Sequence, residues 1–210
     1  MANDFHRVDP VGGWNFVRGA ARLLVADKDA AFPSQISDIV VLSSGATQYN
    51  ATSAWTDLGA TKTGIAISNN HSEETFDVDQ VYGDIDSQPT NWEYNVQTAL
   101  AEMTLESLKL AWEGSDITTN NSPTVPERTI GFGNPDEYVV RRLAVLYKSA
   151  EDYIRAFVFR RVQLAPVEST ATFNKTGEQI SLPVQFKSFP DFAVADPYKR
   201  NYVVIEQVPA

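Results

Sequence analysis

The sequence contains no cysteine and only two histidines, which excludes several kinds of site at once. Without cysteine the chain cannot form disulfides, thiolate nucleophiles, iron–sulfur clusters or cysteine-ligated zinc sites. His6 and His71 are far apart in the chain, and no G-x-S-x-G turn or phosphate-binding G-x-x-x-x-G-K-[ST] loop accompanies them. We therefore predict no catalytic residue, no metal ligand and no cofactor, and we expect a protein that is not an enzyme.

Long hydrophobic runs and an excess of basic charge are also missing. No stretch reaches the ~18 apolar residues that a membrane-spanning helix needs, and the first residues lack the apolar core of a secretion signal. We expect a soluble protein of a reducing compartment, without a membrane partner. The chain carries 27 acidic against 17 basic side chains, a net charge of −10. That balance argues against a DNA reader, which neutralises phosphates with clustered lysine and arginine.

The acidic residues are concentrated in one part of the chain. Between Lys62 and Lys109 there is no lysine or arginine, whereas nine aspartates and glutamates occur. Asp77 and Asp79 lie two residues apart, so both carboxylates would project from one face of a strand. Such a pair can provide ligands for a divalent cation or act as the acid pair of a glycosidase. A solvated acidic strand face is the simpler interpretation and the one we favour.

The fold class follows from the period of the hydrophobic pattern. A helix is predicted from Leu105 to Glu113, with Thr104 as its cap and Gly114 at its end. Strands dominate the rest without βαβ alternation, so we expect a mainly β fold, an antiparallel sandwich or barrel with one principal flanking helix at about 104–113. Residues 43–54 and 115–126 are predicted to be exposed loops. Strands are predicted at about 18–26, 36–42, 71–80, 90–98, 138–148, 153–164, 178–188 and 202–208.

Two of these strands have one fully polar face. If residues 71–79 and 90–98 form an antiparallel pair, Phe76, Trp92 and Tyr94 lie on an apolar face, where we interpret the aromatic residues as core. The opposite face is then broad, acidic and rich in amides. Its predicted members are Glu73, Thr75, Asp77, Asp79, Asn91, Glu93, Asn95 and Gln97.

Four segments of the sequence together resemble the major tail tube proteins of long, non-contractile-tailed bacteriophages. They are WTDLGATKTGI (55–65), ETFDVDQ (74–80), WEYNVQTALA (92–101) and LPVQFKSFPD (182–191). The resemblance covers residues 10–208 and implies a structural virion protein, located in the tail and assembled in the host cytoplasm. Hexameric rings of one β-rich domain, residues 1–210, would stack into a tube that conducts DNA during ejection.

The resemblance also implies roles for individual residues. All members of the predicted polar face except Thr75 become candidates for lining the lumen, although Lys187 on a neighbouring strand departs from a uniformly acidic channel. An N-terminal arm (1–16) and the 43–54 loop become candidates for contacts between rings, through Phe5, Trp14, Ser44, Gln48, Tyr49 and Asn50. Candidates for charged contacts between subunits are Arg141, Arg142, Arg155, Arg160 and Arg161.

The implied partners are further copies of the chain, the tape measure, terminator and distal tail proteins, and DNA in non-specific transit. Two other interpretations stay open. A tail terminator or neck protein would form one ring without polymerising, and a carbohydrate-binding β-sandwich would use the acidic pair with Trp92.

Overall fold

The computed structural model describes residues 21–41, 50–76, 86–102, 104–120, 127–134, 136–148, 154–165 and 181–207. These ranges are mostly strand, with a single α-helix and two short 3₁₀ turns, Ile36–Asp38 and Pro197–Lys199. The helix α1 is Leu105–Ala111. The strands are β1 (Arg22–Asp27), β2 (Val40–Val41), β3 (Asn50–Ala51), β4 (Thr56–Asp57), β5 (Thr61–Phe76), β6 (Asp86–Leu100), β7 (Ser115–Asn120), β8 (Glu127–Phe132), β9 (Arg141–Lys148), β10 (Ile154–Leu164), β11 (Leu182–Ser188) and β12 (Tyr202–Glu206).

One antiparallel sheet of eight strands organises the fold. Its order is β4-β1-β9-β10-β11-β6-β5, and β12 pairs with β10 beside this path. β10 can hold both β12 and β11 on one edge because it pairs with them in succession: residues 155–159 with β12 and residues 162–164 with β11. The predicted fold class, mainly antiparallel β with one helix, is confirmed.

The hydrophobic core has two parts, one on each face of the sheet. Leu143 and Phe159 belong to the larger part, which α1 joins through Leu110. Their chain neighbours Ala144 and Val158 belong to the smaller part, where they meet residues from 30–55 such as Ile39. Alternation along β9 and β10 therefore places apolar side chains on both sides of the sheet. Each fully buried Val, Leu, Ile or Phe side chain contributes about 1.5–3 kcal/mol to stability.

The helix begins where its cap was predicted. Thr104 Oγ1 accepts a hydrogen bond from the backbone N–H of Ser107 at 3.1 Å, and Gly114 follows with a φ of +88°. The ionised side chains of Glu113 and Arg141, both largely buried, pair just after the helix and connect it to the start of β9.

Three local predictions are wrong. Residues 115–126 were predicted as loop, but residues 115–120 form β7, which pairs with β8 along six residue pairs. The two strands are so polar that Ile117, Ile130 and Phe132 are their only large apolar residues. In the strand predicted at 36–42, the described residues 36–41 hold a 3₁₀ turn and the two-residue β2 instead. β3 lies inside the predicted 43–54 loop and pairs with β2.

The predicted N-terminal arm, with Phe5 and Trp14, lies outside the described residues, as do Ser44, Gln48 and Tyr49. Asn50 is the first residue of β3. Within the described ranges, no helix has the length and apolarity needed to cross a membrane.

Candidate functional site

The longest strands among the described residues are β5 and β6, of 16 and 15 residues, which pair as an antiparallel hairpin. Its inner half belongs to the main sheet, where Val96 and Leu100 are buried and Ile67 packs against them. Its outer half, residues 69–76 and 86–92, is exposed at every position. We call this outer half the ribbon. It extends beyond the core as two strands without a covering layer among the described residues.

A polar face runs along one side of β5, β6 and β11. The register places Ser68 opposite Asn95 and Asn70 opposite Glu93, and on the other side of β6 it places Lys187 opposite Asn95. Directly paired residues project to the same side of a sheet. The polar face, as we use the term, consists of Ser68, Asn70, Ser72, Asn91, Glu93, Asn95, Gln97, Gln185 and Lys187.

Charge on the polar face is balanced rather than acidic. Lys187 Nζ lies 3.1 Å from Glu93 Oε2, and Asn95 Nδ2 donates a hydrogen bond to Glu93 Oε1 at 3.0 Å. The Asn95 hydrogen bond, followed by the contact with Lys187, lowers the pKa of Glu93. The nine residues of this face thus carry one carboxylate and one ammonium group. The expectation of a broadly acidic face does not hold for them, and Asp77 and Asp79 lie outside the described residues.

Glu73 is not on the polar face, which corrects the predicted set. His71 is opposite Trp92 in the register, so His71 and, by alternation along β5, Glu73 share the side of Trp92. A bulge between Ser72 and Glu73 shifts the pairing by one residue of β6, so that Glu73 is opposite Pro89. Asn91, Glu93, Asn95 and Gln97 do share one face. Alternation within each strand was predicted correctly, but the register between the strands was not.

Trp92 is exposed, contrary to the prediction that it belongs to the core. Its relative exposure is 48%, and its indole stacks on the His71 ring with centroids 5.0 Å apart. Tyr94, two residues further along β6, is partly buried and meets the edge of Tyr202 at 5.1 Å. Burial, with a smaller effect from Tyr202, raises the pKa of Tyr94. The apolar side of β6 therefore continues out of the core onto the ribbon, where a large aromatic residue faces solvent.

The five arginines proposed for charged contacts fall into two groups. Arg141 pairs with Glu113, and Arg155 pairs with Glu206 while donating to the Tyr147 hydroxyl at 2.8 Å. These two are compensated within the chain, so they are poor candidates for contacts with a neighbour.

Arg142 and Arg160 lie together over the ring of Phe32 instead, and Arg161 is exposed. In the sequence, Phe32 stands out only because Pro33 follows it, which indicates a turn. No sequence signal links it to residues more than 100 positions away.

No group of three or more potential metal ligands occurs in the described ranges. The chain matches no protein-family model and no curated protein.

Proposed function

We propose that this protein is a structural subunit that assembles into hexameric rings, and that the rings stack into the tail tube of a long, non-contractile-tailed bacteriophage. The proposal starts from the resemblance of the four sequence segments. The observation that carries it is the ribbon, whose two strands are exposed on both faces and bear Trp92. A two-stranded ribbon is marginally stable alone in water, so neighbouring subunits that cover it would account for its length.

The position of β5 supports the same conclusion. It is the last strand in the order of the main sheet and is 16 residues long. A long terminal strand offers backbone donors and acceptors to another chain and is a hazard for a monomer. Closure of a ring buries such edges between identical subunits.

The polar face is the surface that we assign to the lumen, through Asn91, Glu93, Asn95 and Gln97. Its amides and hydroxyls bind water, and its single described lysine is paired with Glu93. DNA is held by proteins mainly through clustered lysine and arginine that displace counterions from phosphates. A channel without such clusters lets DNA pass, whether its wall is neutral or acidic.

The test is the assembly state of the purified full-length protein, measured by size-exclusion chromatography with light scattering and by negative-stain microscopy. We expect tubes or stacked hexameric rings. Hexamers that never stack would favour a terminator or neck protein. A stable monomer at all concentrations would overturn the proposal, and oligosaccharide binding that is lost on Trp92→Ala would point to the carbohydrate-binding alternative.

A further inference from the structure

Two arginines and one phenylalanine form a compact cationic site on the face of the sheet that carries the smaller core. The guanidinium carbon of Arg160 lies 3.6 Å from the centroid of the Phe32 ring, and that of Arg142 lies 5.5 Å from the same centroid. We call these three residues the Phe32 site. Arg142 comes from β9 and Arg160 from β10, whereas Phe32 comes from the loop after β1. All three remain partly exposed.

Backbone carbonyls hold the two guanidinium groups in place. Arg160 Nε donates to the carbonyl of Lys199 at 2.7 Å, and Arg142 Nε donates to the carbonyl of Lys28 at 3.0 Å. Neither arginine forms an ion pair with a carboxylate of the described residues, in contrast to Arg141. The site is therefore preorganised by neutral groups, which leaves its charge available to a ligand.

The positive charge of the site is only partly compensated. Burial, and then repulsion from Arg160, lowers the pKa of Arg142, while Asp191 and Asp29 act more weakly in the opposite direction. Nη1 of Arg142 is buried and has no hydrogen-bond partner among the described residues. A planar guanidinium stacked on an aromatic ring is well suited to binding a carboxylate. The two guanidinium groups thus concentrate positive charge at one place in a chain of net charge −10.

The ribbon supplies the complementary groups. Glu73 and Glu74 are adjacent, exposed and without an ion pair among the described residues. They lie on a segment that extends away from the core and needs a covering neighbour. Because Glu73 and Glu74 alternate, at least one carboxylate faces whichever side of the ribbon meets another subunit.

We propose that the Phe32 site of one subunit binds the Glu73 or Glu74 carboxylate on the ribbon of a second copy of this chain. The inference rests on the proposed function, since it requires self-assembly. It adds the pair of surfaces that meet: an acidic ribbon on one subunit and a stacked arginine pair on the next. Charge complementarity then sets which neighbouring surface the ribbon contacts.

The first experiment removes the cations from the full-length protein. We expect the double variant Arg142→Gln/Arg160→Gln to need at least about tenfold more protein to assemble than the wild type, as measured by light scattering, because a charged contact at an interface is lost. The control is Lys109→Gln/Arg128→Gln, which changes net charge equally but removes cations paired with Asp116 and Glu106. It should assemble like the wild type, and circular dichroism melts should show that both variants are folded.

A charge swap identifies the partner carboxylate. The ribbon variant Glu73→Arg/Glu74→Arg and the site variant Arg142→Glu/Arg160→Glu should each fail to assemble alone. Mixed together, they should form mixed assemblies, because each ribbon then meets a site of opposite charge. The inference is overturned if the glutamine variant assembles like the wild type, or if mixing the two charge-reversed proteins does not restore assembly. A wild-type protein that stays monomeric would instead refute the proposed function itself.

Discussion

Glu93 on β6 and Lys187 on β11 form an ion pair across the sheet, with 3.1 Å between Lys187 Nζ and Glu93 Oε2. Asn95, which lies directly opposite Lys187 in the register, donates its hydrogen bond to the same carboxylate. The only two charges on the polar face thus satisfy each other within one subunit. This arrangement makes the polar face nearly neutral, and it can be tested residue by residue.

The first prediction concerns the pKa of Glu93 and its dependence on Asn95 and Lys187. Asn95→Ala and Lys187→Met should each raise that pKa toward its ordinary value, because the hydrogen bond from Asn95 and then the hydrogen bond and charge of Lys187 lower it. A lowered folded-state pKa means that ionised Glu93 stabilises the fold above its unfolded-state pKa. The contribution is lost as pH falls through the folded-state pKa. Carboxyl NMR titration of the wild type and the two variants measures these shifts, and a Glu93 pKa that stays at the wild-type value in a variant would contradict the contact that the variant removes.

The backbone at Gly59 gives the second prediction. Gly59 has a φ of +81°, and a Cβ added there would lie 2.7 Å from a carboxylate oxygen of Glu102. Gly59→Ala should therefore lower the free energy of unfolding by about 1–3 kcal/mol, from backbone strain together with crowding. The matched control is Gly64→Ala, where φ is +75° but no atom lies within 4 Å of the added Cβ.

Urea unfolding separates the two causes. We expect Gly64→Ala to lower the free energy of unfolding less than Gly59→Ala does. Combining Gly59→Ala with Glu102→Ala should remove that difference, because the crowding carboxylate is then absent. An equal decrease in the free energy of unfolding of the two single variants would show that crowding at Gly59 contributes nothing, since Glu102 would then have moved aside.

The third prediction concerns the contribution of the Glu113–Arg141 ion pair to stability. Their side chains are 7% and 13% exposed, so removing one partner leaves a largely buried charge without compensation. Glu113→Gln should lower the free energy of unfolding by about 3 kcal/mol. The double variant Glu113→Leu/Arg141→Met should recover much of this loss, because it removes both charges together. Chemical denaturation measures both, and a double variant no more stable than the single one would contradict the argument.

Much of the fold could be predicted from the sequence because its signals are local. The alternation that defines β9, β10 and β11 and the threonine cap of α1 depend on residues close together in the chain. The β7 and β8 hairpin was missed because its residues are almost all polar, so that cross-strand backbone pairing, not an apolar face, defines it.

The candidate sites depend on long-range relationships that no local pattern contains. Glu73 was placed on the wrong side because a bulge and the register of β5 against β6 decide which faces meet. Trp92 was expected in the core because alternation shows which residues share a face but not where along a strand the covering layer ends. Likewise, the Phe32 site joins residues 32, 142 and 160, which only the order of β1, β9 and β10 brings together.

The neutrality of the polar face leads to the fourth prediction. Ser68→Lys/Gln97→Lys adds two cations on the face assigned to the lumen, and because both residues are exposed the subunit should still fold and assemble. Repeated in every ring, the added cations would bind phosphates and release counterions, so the moving DNA would be retained. Particles built with this variant should release DNA more slowly at low salt, and the rate of release should recover as the salt concentration rises.

The control, Thr118→Lys/Asn120→Lys, places the same two charges on the exposed β7, and particles built with it should release DNA like the wild type. Equal release from both variants would show that the polar face does not line the channel.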